Sequence, residues 1–591
     1  MTVTQIRPST SLVTSAARPR RALVRYGPQA LMLIAVMVLY TVNLRGYPEY
    51  TNDDEGTYYA QAWAVLHKGV MAHYTYWYDH PPLGWVQMAV LLKPVEWLVG
   101  SQNVGDPVET IGRVIMGLFA VGSAALLYKI ARNLSAAKPV ALAVPLVWAI
   151  CPLTQYFGRQ IFLDNINVFW LLVAFALITS KPKLHYIVMA GAAFGVSILS
   201  KETAVLAAPA LLAAIWVFSW PRTRWFAIIG FLGTAILIAS GYLLFAIIKN
   251  EVFPGSGHVS LWYAVNWQLH DRAGQGFLFG NGLNNATMRE WLRFDPYLLP
   301  IGMAFSAGAL AVRRLRPMAL VPVVYFVLAL RGGYVPAMYP ISSLPFMALV
   351  VVLGLEHGWT ALSRPVLRRS CQALVAGLAV AGTALVAPSW LSSVHWTLTS
   401  QENEPARQAL RYVSANLPHT ANILTDDNTW NDLVAMGWNS NGWKGPIWDF
   451  KLDKDPIAQQ QNLPNGWKDV QYILTGRAME VYVGTVVLSK ENAPLVNSAL
   501  SHSTLVAAWG PVGRQVRLLR VDPAQAPVDP GYELKHPVGP VSASAQLAAA
   551  QTQINLLVTR FARSTDVEER RQLVKQIQEL AKTPGVTMPN R

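Results

Sequence analysis

Asn52-Asp53-Asp54-Glu55-Gly56-Thr57-Tyr58-Tyr59-Ala60 follows closely on the first apolar run, Gln29 to Leu44, and its reading decides the fold. A run of that length is close to what crosses about 30 Å of hydrocarbon. Charges at a membrane edge are costly and are kept where they have a use. One acidic residue is enough to cap the helix that begins here and to complement its dipole. Three adjacent carboxylates exceed that need. The cluster therefore points to chemistry just beyond a membrane span.

Working outward, apolar runs recur near 29–44, 108–130, 138–155, 163–179, 184–200, 203–219, 225–249, 296–312, 317–331, 341–357 and 370–388. The loops between them sort by charge. Arg18 to Arg25, Lys129 with Arg132, Lys181-Pro182-Lys183, Arg222-Thr223-Arg224, Arg313-Arg314-Leu315-Arg316 and Arg364 to Arg369 all fall on one side, as the positive-inside rule requires of cytoplasmic loops. The expected fold class is an α-helical polytopic membrane protein with about eleven transmembrane helices and a C-terminal extracytoplasmic α/β domain. The expected location is the plasma (inner) membrane, with the N-terminus cytoplasmic. No small-residue cleavage site follows the first run, so it reads as a retained helix rather than a signal peptide.

Composition agrees. The chain of 591 residues is 53% hydrophobic and only 14% charged, against about 25% charged in soluble domains. The net charge of +15 comes from short clusters between apolar runs, which excludes a nucleic-acid-binding reading. Cys151 and Cys371 fall near opposite membrane faces in this topology, so no disulfide framework is expected.

Residues 1–27 read as a polar cytoplasmic tail and 28–388 as the membrane domain. Within it, 45–107 forms a first outer loop with surface helices near 56–68 and 83–98, and 250–295 a second long outer loop. Residues 389–521 read as the α/β domain. Helices are expected at 405–415 and 491–502, and strands at 422–425, 470–475, 504–509 and 515–521. A linker at 522–542 and an amphipathic helical tail to 583 complete the 522–591 segment.

Candidate chemistry gathers at the outward ends of the runs. Asp53, Asp54 and Glu55 offer a carboxylate that accepts a proton from an incoming hydroxyl. Tyr76-Trp77-Tyr78-Asp79-His80-Pro81-Pro82-Leu83-Gly84-Trp85 sets His80 before a proline pair that fixes an extended entry into a helix. Arg159 and Asp164 lie at one outer junction, either as a mutual salt bridge or as site residues, and Lys201-Glu202 lies at another. Arg331 and Tyr334 open the segment to Pro340; an arginine at a helix end also commonly snorkels. Carboxylates and cations in one layer suit the transfer of a sugar from a phosphate carrier, with a base for the acceptor and cations for the departing phosphate. Tyr58 and Tyr334 join this layer, and the 21 Trp and 22 Tyr supply both interfacial belts and sugar-stacking faces.

On these residues the chain resembles the GT-C superfamily of polyprenyl-phosphate-dependent glycosyltransferases, and is similar to protein O-mannosyltransferases and aminoarabinose transferases. The matching elements are Asp54-Glu55, His80-Pro81-Pro82-Leu83-Gly84, Arg159 with Asp164, and Arg331 to Pro340, across roughly residues 28–350. His80 follows the mannosyltransferase pattern, where aminoarabinose transferases usually carry Lys. Trp85 departs from the Lys usual in mannosyltransferases. The resemblance implies a GT-C fold, an extracytoplasmic cleft, an Asp of the first loop as base and an inverting single displacement. His80, Arg159, Lys201 and Arg331 are then candidates for the donor phosphate, with Asp164, Glu202, Tyr58 and Tyr334 beside them. Trp430, Trp438 and Trp443, with Trp448, are candidate acceptor platforms in the outer domain, or else core residues.

The expected donor is a polyprenyl-phosphate sugar, and the acceptor an envelope glycan, glycolipid or protein. These motifs assign no cofactor, and a divalent cation is compatible with the carboxylate cluster. A transporter or flippase for lipid-linked sugars would instead spread charge along the spans. A non-catalytic assembly scaffold would not need the intact Asp-Glu and His-Pro-Pro elements.

Overall fold

The computed structural model describes residues 17–99, 104–272, 274–360, 365–440, 444–455, 463–482, 492–511, 514–527 and 567–580. The N-terminal part is helical: α1 (Ala17–Thr41), α2 (Asp53–Lys68), α3 (Leu83–Val99), α4 (Glu109–Asn133), α5 (Lys138–Ile150), α6 (Pro152–Gly158), α7 (Leu163–Ile178), α8 (Leu184–Ser200), α9 (Ala208–Phe218), α10 (Arg224–Ala239), α11 (Gly241–Ile248), α12 (Leu261–Asn266), α13 (Leu283–Phe294), α14 (Leu298–Ala309), α15 (Arg316–Ala329), α16 (Leu344–Thr360) and α17 (Pro365–Thr399).

Among the described residues, Glu109–Asn133, Pro221–Ile248 and Arg369–Asn416 are each long and apolar enough to cross a membrane. The pair α5 and α6 passes the same test but bends by 66°, where Pro152 opens a new helix after Cys151. The runs expected at 163–179, 184–200, 203–219, 296–312, 317–331 and 341–357 form apolar helices of 10–17 residues. Helices α8 and α10 touch closely. A Cβ on Gly191 would lie 2.4 Å from the Phe231 carbonyl oxygen, the small-residue approach by which helices associate in lipid.

The surface helices of the first long loop are α2 and α3. Asn52 caps α2 by accepting from the Asp54 amide at 3.0 Å, and Gly69 ends it in the left-handed conformation at φ 65°. The loop expected at 250–295 contains α12, α13 and a π-helical turn at Trp267–Asp271.

Beyond α17 lie α18 (Glu404–Asn416), β1 (Ile423–Thr425), α19 (Asp427–Ala435), β2 (Pro446–Trp448), α20 (Asp449–Lys454), β3 (Tyr472–Leu474), α21 (Arg477–Tyr482), α22 (Pro494–Ser501), β4 (Ser503–Trp509), β5 (Val516–Val521) and, apart from these, α23 (Val567–Leu580). The sheet order is β2-β1-β3-β5-β4, with β2, β1 and β3 parallel and β5 antiparallel to both neighbours. Side chains alternate across it: Leu424, Ile473 and Leu519 enter one core, and Ile423, Leu474 and Leu518 the other. Both faces of the sheet are thus covered.

The end of α17 and parts of the sheet domain depart from the sequence reading. Helix α17 runs through Pro388 to Thr399, past the boundary expected at 388, because no cap or glycine stops it there. Strand β2, three apolar residues too short to show a period, and the short helices α19, α20 and α21, which mix polar with apolar residues, were not expected. The linker and most of the tail lie outside the described residues, apart from α23, which buries Leu573 and Ile577.

The sheet domain is docked on α2 through helix α19. Asn428 and Asn431 donate side-chain hydrogen bonds to the carbonyls of Asn52 and Gly56 at 3.1 and 2.8 Å. A Cβ on Gly56 would meet the Asn428 amide nitrogen at 2.3 Å, so this contact needs glycine. Arg477 to Glu49 and Arg407 to Asp106, both 2.7 Å, hold the same junction.

Candidate active site

The first turn of α2 gives its three carboxylates three different environments. Glu55 is fully buried and takes both Nε and Nη2 of Arg113 at 2.7 Å, with a further bond from the Ile161 amide at 3.1 Å. Asp53 accepts from the Asp427 amide and from Trp448 Nε1, each at 2.7 Å. Both oxygens of each residue are therefore engaged in holding the fold. This corrects the expectation that either supplies free carboxylate chemistry. Asp54 differs. It is half-buried, and among the described residues no group donates a hydrogen bond to its carboxylate.

The charges facing Asp54 come from distant segments. Burial pushes its carboxyl above the usual range; Lys201, His80 and Arg272 pull it down, and Asp79 pushes it up. His80 Nδ1 pairs with Glu202 Oε2 at 2.9 Å. Burial lowers the basicity of this imidazole, but the adjacent Glu202 carboxylate outweighs it and leaves His80 above its ordinary value. Lys201 Nζ pairs with Asp164 Oδ2 at 2.7 Å, with both side chains buried. The ends of α7 and α8 thereby present one ammonium to the site in a fixed position.

Arg272 is held otherwise. Its guanidinium carbon lies 3.4 Å from the Tyr334 ring centroid and 4.9 Å from that of Trp267, and it donates to Gln268 Oε1 at 2.8 Å. Among the described residues no carboxylate pairs with it, so its charge is open to an anion. Tyr58 is buried on α2 with its ring 5.9 Å from that of His80.

A strained segment places His80. Tyr78 has φ 56°, a left-handed conformation uncommon for a bulky residue. Its carbonyl accepts from Tyr242 Oη at 2.9 Å, its own hydroxyl donates to Glu251 at 2.6 Å, and Tyr76 Oη donates to the His80 carbonyl at 2.7 Å. Such strain persists where surrounding contacts over-determine it, and it clusters at functional sites.

Several sequence-predicted site residues stand elsewhere. Arg159 is fully buried and donates to the carbonyls of Leu39, Val42 (2.7 Å) and Tyr47 (3.1 Å). It ties α6 to the end of α1, and neither pairs with Asp164 nor opens toward a phosphate. Arg331 is exposed beyond α15 and is not among the main charges acting on Asp54. Trp430 is buried against His73 and Trp63, and Trp438 is buried against His419. Both are packing residues, as is the buried Trp448. Trp443 lies outside the described residues.

Sequence reasoning missed Arg113 and Arg272. An arginine inside an apolar run was the available signal for Arg113; Arg272 stands in a loop with no local pattern to single it out. Among the described residues, no group of three or more His, Cys, Asp or Glu side chains is arranged to hold a metal ion.

Two solved structures are similar to this chain in fold. ArnT from Cupriavidus metallidurans, bound to undecaprenyl phosphate, aligns over 85% of this chain and all of its own length, with 14% identity and a TM-score of 0.53. The Archaeoglobus fulgidus oligosaccharyltransferase, in complex with Zn and sulfate, aligns over 94% of this chain and 86% of its own, with 14% identity and a TM-score of 0.50. The chain shares the fold of these two proteins. Within it, residues 97–245 match the family model described as Dolichyl-phosphate-mannose-protein mannosyltransferase. No curated protein matches the chain in sequence.

Proposed function

We propose that this protein transfers a monosaccharide from a polyprenyl-phosphate-linked donor to an envelope glycan, glycolipid or protein, with inversion, at the extracytoplasmic membrane face. The observation that carries this reading is the state of Asp54. It is the one carboxylate of the α2 triplet left without a hydrogen-bond donor among the described residues, and Lys201, His80 and Arg272 all act on it. A base and a set of cations in one half-buried site suit a single displacement.

In that step the acceptor oxygen attacks the anomeric carbon while the bond from that carbon to the phosphate oxygen breaks. The acceptor proton passes to the Asp54 carboxylate. The electron pair leaves with the polyprenyl phosphate, whose new charge meets Arg272, with Lys201 and protonated His80 beside it. Asp164 and Glu202 keep those two cations in place. The polyprenyl-phosphate class of donor is supported by the fold shared with ArnT, solved with undecaprenyl phosphate.

Incubating the purified full chain with a panel of undecaprenyl-phosphate sugars, and detecting released undecaprenyl phosphate, tests the reading. Release from at least one sugar donor, dependent on an acceptor extract, is expected. Movement of intact donor across a vesicle membrane without release would support the transporter reading instead.

A further inference from the structure

With Trp430 and Trp438 in the core, a different pair of rings is only half-buried. Trp77, three residues before His80, and Phe450, in α20, lie 5.6 Å apart with their planes at 57°, and both are half-buried. Lys451 Nζ sits 4.1 Å from the Trp77 ring centroid and donates to the Thr75 carbonyl at 3.4 Å, which fixes the indole against the protein. Asp79 follows two residues later. Among the described residues no group donates a hydrogen bond to its buried Oδ1. Asp79 is next to His80 in the chain, two residues from Trp77, and its charge acts on both Asp54 and Lys451. The strained Tyr78, pinned by Tyr242 and Glu251, holds it there. Neither Trp77 nor Phe450 has a part in the donor chemistry, and Asp79 bears on it only through its charge acting on Asp54.

We propose that Trp77, Phe450 and Asp79 form the acceptor subsite, and that the acceptor is a glycan. A sugar ring offers an apolar CH face to angled aromatic rings and a hydroxyl donor to an unpaired carboxylate oxygen. A ring seated on Trp77 and Phe450, with one hydroxyl on Asp79, presents its neighbouring hydroxyl toward Asp54. A serine or threonine side chain fills neither ring face. The subsite is assembled from two bodies, Trp77 from the segment between α2 and α3 and Phe450 from the sheet domain. That gives the docking of the sheet domain on α2 a catalytic purpose. The inference rests on the transferase reading for Asp54.

The test is saturation-transfer NMR on the detergent-solubilised full chain without donor. The probes are α-1,6-mannotriose, maltotriose, chitotriose and a Ser/Thr-rich heptapeptide. A parallel thermal-shift titration with undecaprenyl phosphate reads the donor site separately. Saturation of the ring protons of at least one trisaccharide is expected. Trp77→Leu, Phe450→Leu and Asp79→Asn should each weaken it about tenfold, the size of one lost contact to a charged or stacking partner. Trp77→Phe should keep most of it, and the undecaprenyl phosphate shift should persist in all four. No binding of any trisaccharide, equal binding in the variants, or saturation of the peptide alone overturns the subsite. A wild-type protein that binds a trisaccharide through these residues but shows no shift with undecaprenyl phosphate contradicts the donor reading and leaves the sugar site standing.

Discussion

Trp448 Nε1 donates to Asp53 Oδ2 at 2.7 Å, joining two residues 395 positions apart. The bond fixes the residue just before Asp54 to the sheet domain. Arg113 fixes the residue just after it from α4. Asp54 is therefore held between two anchored neighbours while, among the described residues, nothing donates to its own carboxylate, a preorganised position for the base we propose.

The Glu55–Arg113 fork is fully buried, so breaking it strands a charge. Glu55→Gln and Arg113→Met should each cost about 3–5 kcal/mol of stability. Thermal unfolding of the detergent-solubilised protein measures this. A loss of turnover with unchanged melting would return Glu55 to the chemistry.

Arg272 and Arg331 separate the open cation at the site from the exposed one. Arg272→Ala should slow transfer roughly 10²–10³-fold, the usual effect of losing one preorganised charge contact. Arg272→Lys should rescue it only partly, because Lys lacks the planar fork. Arg331→Ala should cost clearly less in the same single-turnover assay. The reverse order would place the phosphate on the Arg331 side.

The legible part of this chain was local. The start of α2, the His80-Pro81-Pro82 turn and the apolar runs all follow from neighbouring residues, and each has its counterpart in a helix or turn of the structure. Pairings across the fold were not legible. Arg159 and Asp164 are five apart and suggested one salt bridge. Yet Asp164 opens α7 and meets Lys201 at the end of the adjacent α8, while Arg159 turns to carbonyls at the end of α1. The tryptophans of the sheet domain read as core more readily than as platform, but periodicity does not say which face a neighbouring helix will cover. Arg272 reaches Asp54 only because the loop from 250 to 295 folds back over the site, and nothing in its local sequence encodes that.

The pH profile should be set by Asp54 and His80. Asp54 must be ionised, and burial raises its carboxyl, so activity should climb through a range above that of an ordinary carboxylate. His80 must be protonated, and Glu202 keeps it so above the ordinary imidazole range, so activity should fall only at higher pH. Glu202→Gln removes the charge that raises His80 and leaves the burial that lowers it. The alkaline limb should therefore move to lower pH. Lys201→Met removes a charge that lowers Asp54, so the acid limb should move up. Limbs that do not move would detach these residues from the reaction.

Sidedness rests on the basic loops. A cysteine at Ser440 should react with an impermeant maleimide from outside the cell, and one at Arg314 only after permeabilisation. The opposite pattern would put the whole site on the cytoplasmic face.

The most direct measurement is single-turnover transfer from an undecaprenyl-phosphate sugar by Asp54→Asn, with donor affinity read in parallel. The substitution keeps the shape and removes the proton acceptor. Transfer should fall roughly 10²–10⁴-fold, as for loss of a general base, while the donor still binds. Near-normal transfer by Asp54→Asn, with the loss falling instead on Asp53→Asn, would contradict the assignment of Asp54 as the base.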